Sequence, residues 1–414
     1  MKQSLSDPQI LELLHHWRSE RYLLNSANAV ERFLLSSCFS SIEIEGINTV
    51  KERSDRGETL IFIPNHQSEY DWLILQTYLA KWNVPTAIQA GDNLFIGPLD
   101  TFLRKCGAFM SVREKREFCA RHWLLDSALK LVGTRPFVVT KDKYNGLYLD
   151  QIKTVLNRDK LHLMIFPGYE TDEYSGEVKY GRSYSGTLNP LSAYVLMVIR
   201  SALKALSISY ARYIPVNITY ERVPEDIVFR EFQANTRKSK IAKYIYDHYY
   251  TFIKAPISRR LRDQKSRVCI KFGEGIPALT KMKAKDLSKS IRDQLGRLVR
   301  VYESMLVFSS LENRFKMSRT DLEERVSTNL DIINEKGLDT SPLYSETGRQ
   351  SLEEMLMRTV KIFNFPKIPI IPSKSYMTLE YDPYEIFVHH PHLAAYYSNK
   401  LAHVLVGAAA SKSS

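Results

Sequence analysis

The chain has 414 residues, 44% of them apolar, enough for one large domain with additions or for two. A formal charge of +12 implies an anionic partner: nucleic acid, an anionic membrane surface or a phosphorylated substrate. Four widely spaced cysteines without a Cys-x-x-Cys pair argue against a disulfide framework or a cysteine zinc site, and no run of about 18 uncharged apolar residues predicts a spanning helix.

Met1 to Ile10 is polar and predicts no signal peptide. Apolar residues at Ile10, Leu11, Leu13, Leu14 and Trp17, then at Val30, Phe33 and Leu34, recur at helical spacing. Residues 1–45 therefore predict an N-terminal helical segment. Residues 43–58 are polar, carry Gly46 and Gly57, and predict turns leading into the main domain. Residues 59–63 are an apolar, β-branched run of strand type. The run continues into Pro64-Asn65-His66-Gln67-Ser68-Glu69-Tyr70-Asp71, after which apolar residues recur at helical spacing through Leu79. His66 is thereby placed at the mouth of a strand, with Asp71 on or near the first turn of the next helix. A turn between them can fold the carboxylate onto the imidazole, fix its tautomer and raise the basicity of the other ring nitrogen. A base held this way can take a proton from an alcohol. The same residues also fit a plain helix cap at Asn65 or Ser68 with a loop histidine.

Residues 84–88 predict a strand, and the apolar residues through Leu103 a helix. Residues 107–112 predict a buried strand that delivers Arg113 to its end, with Lys115 and Arg116 close behind. Such a cluster suits phosphate oxygens, and equally a solvated basic turn. Helices at 118–131 and 147–156 alternate with strands at 135–140 and 161–166, where His162 reads as a packing histidine. This alternation predicts an α/β domain over 46–280, its central sheet mostly parallel or mixed and flanked by helices. A polar loop at 169–179 closes on Tyr180-Gly181-Arg182-Ser183-Tyr184-Ser185-Gly186-Thr187. Glycines let a backbone approach an anion and Arg182 supplies charge, although an ordinary turn uses the same residues. Gly181-Arg182-Ser183-Tyr184-Ser185 fails the Gly-x-Ser-x-Gly elbow at its last position, which argues against a serine hydrolase.

Residues 191–206 predict an apolar helix, too charged at Arg200 and Lys204 to span a bilayer. Residues 213–221 predict a strand in which Pro215 points to an early position or a sheet edge. Residues 237–265 are basic with interleaved tyrosines, and suit RNA, lipid headgroups or solvent. Residues 267–274 read as the domain's last strand. Residues 281–414 predict a helical C-terminal region: one helix at 288–306, two short ones at 317–333 capped by Ser318 or Thr320, a linker at 337–348 and a last helix at 393–406. His389-His390-Pro391-His392 raises a metal site, lacks an evident fourth ligand and reads as a turn.

The order of four blocks is more informative than any one of them. His66-x-x-x-x-Asp71, then Gly107-Ala108-Phe109 with Arg113, then Gly181-Arg182-Ser183 with Ser185-Gly186, then Ile214-Pro215-Val216-Asn217-Ile218-Thr219-Tyr220-Glu221 resembles the glycerolipid acyltransferase superfamily. Within it the glycerol-3-phosphate and dihydroxyacetone-phosphate O-acyltransferases are most alike. Lys271-Phe272-Gly273-Glu274, Met317-Ser318-Arg319-Thr320-Asp321-Leu322 and Tyr396-Tyr397-Ser398-Asn399-Lys400-Leu401-Ala402-His403 are similar to that branch. The middle blocks depart from the pattern. The family's first arginine of block two falls on Val112. Its glutamate and glycine of block three fall on Lys179 and Tyr180, with Glu170 and Glu177 as stand-ins.

The resemblance implies an enzyme of phospholipid biosynthesis. His66, oriented by Asp71, would deprotonate a hydroxyl of glycerol 3-phosphate, and the alkoxide would attack an acyl thioester. The donor would be acyl-CoA or acyl-carrier protein as co-substrate, with no cofactor and no metal. Backbone amides near a helix start would stabilise the oxyanion. Arg113, Gly181, Arg182 and Ser183 would hold the acceptor's phosphate. The protein would sit peripherally on the cytoplasmic side of an anionic membrane, without nucleic acid as a partner. Lysophosphatidate or dihydroxyacetone phosphate is the alternative acceptor. A non-catalytic lipid- or RNA-binding protein is the alternative of another class, against which the intact His66 and Asp71 argue.

Overall fold

The predicted alternation of strands and helices builds an eight-stranded sheet. The structure is a computed structural model that describes residues 6–16, 18–95, 98–112, 115–118, 137–171, 178–183, 185–226, 250–261, 263–312, 314–364 and 378–405. The strands of this sheet are β1 (Phe39–Glu45), β2 (Thr59–Pro64), β3 (Thr86–Gly91), β4 (Ala108–Ser111), β5 (His162–Met164), β6 (Ala211–Tyr220), β7 (Ser266–Phe272) and β8 (Ile276–Pro277). Their order across the sheet is β1-β7-β6-β2-β5-β3-β4, with β8 paired to β6. From β6 to β4 every neighbouring pair is parallel, while β7 and β8 run antiparallel to β6.

The side-chain alternation of β2 explains the layers. Leu60 and Phe62 enter one core, Ile61 and Ile63 the other. A central parallel strand covered on both faces needs this near-continuous apolar run. On the first face lie Tyr70, Leu73 and Ile74 of the helix Tyr70–Lys81, together with Met305, Phe308 and Tyr397 from the C-terminal region. On the second lie Leu147 and Ile152 with Leu196 and Ile199, from the helices Lys141–Lys153 and Ala193–Ala205. The C-terminal region thus shares one core with the sheet. Among the described residues no helix is long and apolar enough to cross a membrane.

Several sequence expectations are corrected. Residues 39–45, read within a helical segment, form edge strand β1, paired parallel to β7. The stretch read as turns holds the helix Ile47–Asp55. Residues 288–306 split into the helices Ala284–Arg297 and Glu303–Leu311. Between them the Arg300 amide donates to Thr219 Oγ1, and its guanidinium pairs with Asp339, Glu43 and Glu45, which takes the backbone out of helical pairing. Residues 317–333 form one helix, Arg319–Glu335, whose cap Ser318 accepts the Asp321 amide. The C-terminal region also carries a small sheet of Lys316–Ser318, Glu385–Val388 and Leu379–Tyr381. Strand Phe137–Thr140 pairs with Lys115–Phe118 outside the main sheet. The polar loop is a hairpin of Tyr169–Thr171 with Val178–Tyr180. Arg113, most of the predicted helix at 118–131 and the segment 227–249 lie outside the described residues.

Pro215 sits in a central strand, where its missing N–H would break a ladder. The sheet accommodates it by a gap. β7 ends opposite Val216 and β8 begins opposite Tyr213, so Pro215 faces the crossing between two partner strands. There its carbonyl accepts the Gly273 amide at 2.8 Å. His162 is the packing residue expected: Nδ1 accepts the Leu60 amide at 3.2 Å and Nε2 lies 2.7 Å from Ser54 Oγ. Burial holds it down at about 4.

Gly186 fixes how the C-terminal region meets the third block. Its φ is +84°, and a Cβ built there would lie 1.9 Å from the Tyr396 carbonyl oxygen. Gly186→Ala is expected to lower stability by about 1–3 kcal/mol through the left-handed backbone alone, with the clash added to that. Urea denaturation measures it; an unchanged midpoint would show that this contact does not form.

Candidate active site

The first block is built by the end of β2 and the start of the helix Tyr70–Lys81. Asn65 locks the strand end: its side-chain oxygen accepts the Ile218 amide at 2.7 Å, and its side-chain nitrogen donates to the Ile218 carbonyl at 3.1 Å. His66 follows, at the carboxyl edge of the parallel strands, where open α/β sheets place their ligands. Asp71 lies in the first helical turn, fully buried. Its Oδ2 is 2.9 Å from His66 Nδ1 and accepts the Gln67 and Ser68 amides at 2.6 and 2.9 Å. Its Oδ1 accepts the Tyr220 hydroxyl at 2.7 Å. A carboxylate engaged by three other donors is an acceptor toward Nδ1 as well, so Nδ1 carries the ring proton and Nε2 keeps a lone pair. The imidazole packs on Phe166, ring centroids 4.6 Å apart, and lines a cleft with Gly168, Ser183, Asn189 and Leu295. A half-buried imidazole with a fixed tautomer and one available nitrogen can accept a proton from a hydroxyl placed in that cleft.

The amides at the helix start are engaged within the protein. Gln67 and Ser68 donate to Asp71, Glu69 to Glu225 Oε1 at 2.6 Å, and Tyr70 to Ser68 Oγ at 3.0 Å. These four amides are therefore not free to receive an oxyanion: they hold buried carboxylates and a hydroxyl.

The third block reaches the same place. The Ser183 amide donates to the His66 carbonyl at 2.8 Å, and the Gly181 amide to the Gly168 carbonyl at 3.0 Å. Glu170, from the hairpin, accepts Ser183 Oγ at 2.9 Å and Ser185 Oγ at 2.7 Å. Of the two glutamates proposed as stand-ins, Glu170 is thus in contact with the block; Glu177 lies outside the described residues. Arg182 points to a carboxylate that the sequence did not suggest. Its Nη1 is 2.9 Å from Glu225 Oε1 and 3.6 Å from Glu69 Oε1. Glu225 also accepts the Ser68 hydroxyl at 2.9 Å. Burial pushes the Glu225 carboxyl up to about 7, against the pull of Arg182. The structure therefore brings together His66, Asp71, Gly181, Arg182 and Ser183, while Arg113 lies outside the described residues.

Sequence reasoning missed Glu225, Tyr220, Gln67, Tyr396 and Lys400 as parts of the site. Tyr220 stood inside the fourth block, and Tyr396 and Lys400 inside a stretch already noted as family-like, but nothing local showed that they approach Asp71 or Gln67. Among the described residues, only His15, His16 and Asp159 gather three metal-ligating atoms. His15 Nε2 and His16 Nε2 lie 2.8 and 3.2 Å from Asp159 Oδ2. Nδ1 of His16 accepts the Arg18 amide at 3.2 Å, which puts its ring proton on Nε2, opposite to what metal ligation there requires. At 389–392, His389 faces Glu380 at 3.0 Å and the histidines do not converge.

The Arg182–Glu225 pair has a pH signature. Glu225 titrates higher in the folded protein than its ordinary 4.5, so its ionisation costs stability as pH rises from about 4.5 through about 7. Arg182 offsets that cost. Arg182→Ala is expected to lose about 3 kcal/mol at pH 8 and much less at pH 5, where Glu225 is largely protonated. Thermal denaturation at both pH values measures this; equal losses would show that Arg182 acts by packing alone.

Residues 41–188 match the Acyltransferase family model. A curated glycerol-3-phosphate acyltransferase of Shewanella sp. (strain ANA-3) is 25% identical over 216 residues, 51% of this chain and 22% of the relative. That of Pseudoalteromonas atlantica is 28% identical over 204 residues, 49% of this chain and 21% of the relative. The alignments thus span about a fifth of the length of these curated relatives. The crystal structure of the 1-acyl-sn-glycerophosphate acyltransferase PlsC from Thermotoga maritima is 13% identical, with 69% of this chain and 77% of that chain covered and a TM-score of 0.29. The ordered blocks, the family model matched over residues 41–188 and the sequence relatives thus agree in their similarity to the glycerolipid acyltransferases.

Proposed function

We propose that the protein transfers a fatty acyl group from an acyl thioester to a hydroxyl of glycerol 3-phosphate, in phospholipid biosynthesis. The observation that carries this reading is the His66–Asp71 pair at 2.9 Å, inside the matched domain, made through Nδ1 and leaving Nε2 for the substrate. Nε2 takes the hydroxyl proton as the acceptor oxygen bonds to the thioester carbonyl carbon. The tetrahedral intermediate collapses, the carbon–sulfur bond breaks, and the thiolate leaves with the proton returned from His66. Nothing in this sequence of steps needs a covalent acyl-enzyme. Arg182, with Arg113, would hold the acceptor's phosphate, while Gly181 and Ser183, whose amides are held by the Gly168 and His66 carbonyls, would shape the backbone beside it. A dianion arriving at Arg182 would share the guanidinium with Glu225, whose ease of protonation near neutral pH lowers the cost of that sharing. Acyl-CoA and acyl-carrier protein are both compatible donors.

A thiol-release assay with long-chain acyl-CoA and a panel of glycerol 3-phosphate, dihydroxyacetone phosphate and lysophosphatidate tests the proposal. His66→Ala is expected to lower turnover about a hundredfold or more with an unchanged melting temperature; wild-type turnover in that variant would reject the assignment. Arg182→Ala is expected to raise KM for glycerol 3-phosphate about tenfold and leave that of the acyl donor nearly unchanged. Arg113→Ala should behave alike. Preferential use of lysophosphatidate would transfer the reading to that acceptor.

Peripheral membrane association belongs to the same proposal. Tyr194 and Met197 stand exposed on the helix Ala193–Ala205. Arg200 of that helix donates to the Met282 and Thr280 carbonyls, bringing exposed Met282 alongside, with exposed Lys281, Lys283 and Lys285 around it. Apolar tips among lysines suit an anionic bilayer surface. High salt is expected to release most of the protein from anionic vesicles; a requirement for detergent would indicate deeper insertion.

A further inference from the structure

The matched domain ends at residue 188, yet the turn that joins His66 to Asp71 is held from the far end of the chain. Lys400 lies in the turn Asn399–Leu401, after the helix Pro391–Ser398, and is 4% exposed. Its Nζ donates to Gln67 Oε1 at 2.8 Å and faces the rings of Tyr396 and Tyr397, 5.1 and 4.9 Å from their centroids. The Tyr396 hydroxyl donates to the Gln67 carbonyl at 3.3 Å, and the Gln67 amide donates to Asp71. Gln67, next to His66, is therefore gripped at its amide, its carbonyl and its side chain, two of these by the C-terminal region.

The charges around Lys400 show a second role. The carboxylates near it are Asp71, from the helix start, and Glu225 and Asp226, from the chain beyond β6. Glu225 is paired with Arg182, whose guanidinium also faces Glu69. Asp226 is paired with Arg222 and lies 3.8 Å from Arg259. Among the described residues, Asp71 has no arginine or lysine in direct contact; its ion-pair partner is His66. Burial brings the Lys400 ammonium down to about 7, against the pull of Asp71, Asp226 and Glu225, so near neutral pH a substantial fraction is charged. The neighbouring Tyr70, Tyr220, Tyr396 and Tyr397 are all held well above their usual range by burial and stay neutral.

We propose that Lys400 is a positioning residue for the acyl-transfer site, fixing the His66–Asp71 turn through Gln67 and opposing with its charge the field of Asp71 at His66. This deepens the acyltransferase reading and rests on it. A buried aspartate beside an imidazole favours the protonated ring, which cannot act as a base. A cation near that carboxylate weakens the preference.

The test compares full-length wild type with Lys400→Met, which keeps the length of the side chain and removes its charge. Turnover of Lys400→Met is expected to fall about tenfold. The acid limb of its pH–rate profile should move upward by about one pH unit, because His66 holds its proton more tightly without the cation. Lys400→Arg keeps the charge and should leave that limb in place even where its bulk lowers turnover. The His66 ring titration, followed by NMR, should shift upward in Lys400→Met alone. This second readout does not depend on turnover. Inactive wild-type protein would defeat the acyltransferase reading, while the His66 titration would still decide whether Lys400 acts on it. Should Lys400→Met fail to fold, Lys400→Gln is read in the same way. Equal losses of turnover in the methionine and arginine variants, with no shift in the limb or in the titration, would overturn the proposal.

Discussion

The arrangement depends on one buried carboxylate. Asp71 has no exposed surface, and its two oxygens gather His66, two backbone amides of its own turn and the Tyr220 hydroxyl. A buried carboxylate is tolerated only with such a set of donors. The donors in turn dictate structure. The two amides require the turn between strand and helix to curl over the carboxylate. Tyr220 requires β6 to lie beside β2. Once these are met, the imidazole has one orientation and one tautomer.

The sheet supplies the frame that makes those demands compatible. β6 and β2 are parallel neighbours, so their carboxyl ends emerge together, and Asn65 bridges them through both backbone groups of Ile218. The Gly168 and Ser183 segments arrive on the other side, from beyond β5. Pro215 occupies the middle strand without an unpaired neighbour because the antiparallel partner changes from β7 to β8 at that level. A residue that ordinarily marks a sheet edge marks here a break in the adjoining strand.

Charge is organised around the same point. Arg182, Arg222, Arg259 and Lys400 share a small volume with Glu225, Asp226 and Asp71. Interior ions of this number are stable only as near-neutral sets. This explains why Arg182, expected to wait for a phosphate, has a carboxylate beside it, and why the C-terminal region is packed into the site instead of being appended to it. A ligand phosphate entering here adds to a balance already set by the protein.

The features that depend on neighbours in the chain were legible in the sequence. The β-branched run, the polar turn and the helical recurrence after it placed His66 and Asp71 correctly, because strand period, helix period and a five-residue separation are local properties. The ordered blocks carried the resemblance, and Ser183 of the third block was found beside His66. What tertiary structure alone decided has a common cause, the choice of partner for a buried polar group. Tyr220 meets Asp71 across 149 positions, Glu225 meets Ser68 across 157, and Lys400 meets Gln67 across 333. No local pattern encodes such a pairing, since each group is acceptable in many places and becomes necessary only where burial removes water and leaves a single donor or acceptor in reach. For the same reason the helix-start amides could be named as donors from sequence, but not their acceptors. The fold directed them to Asp71 and Glu225, because a carboxylate once buried takes the donors nearest to it.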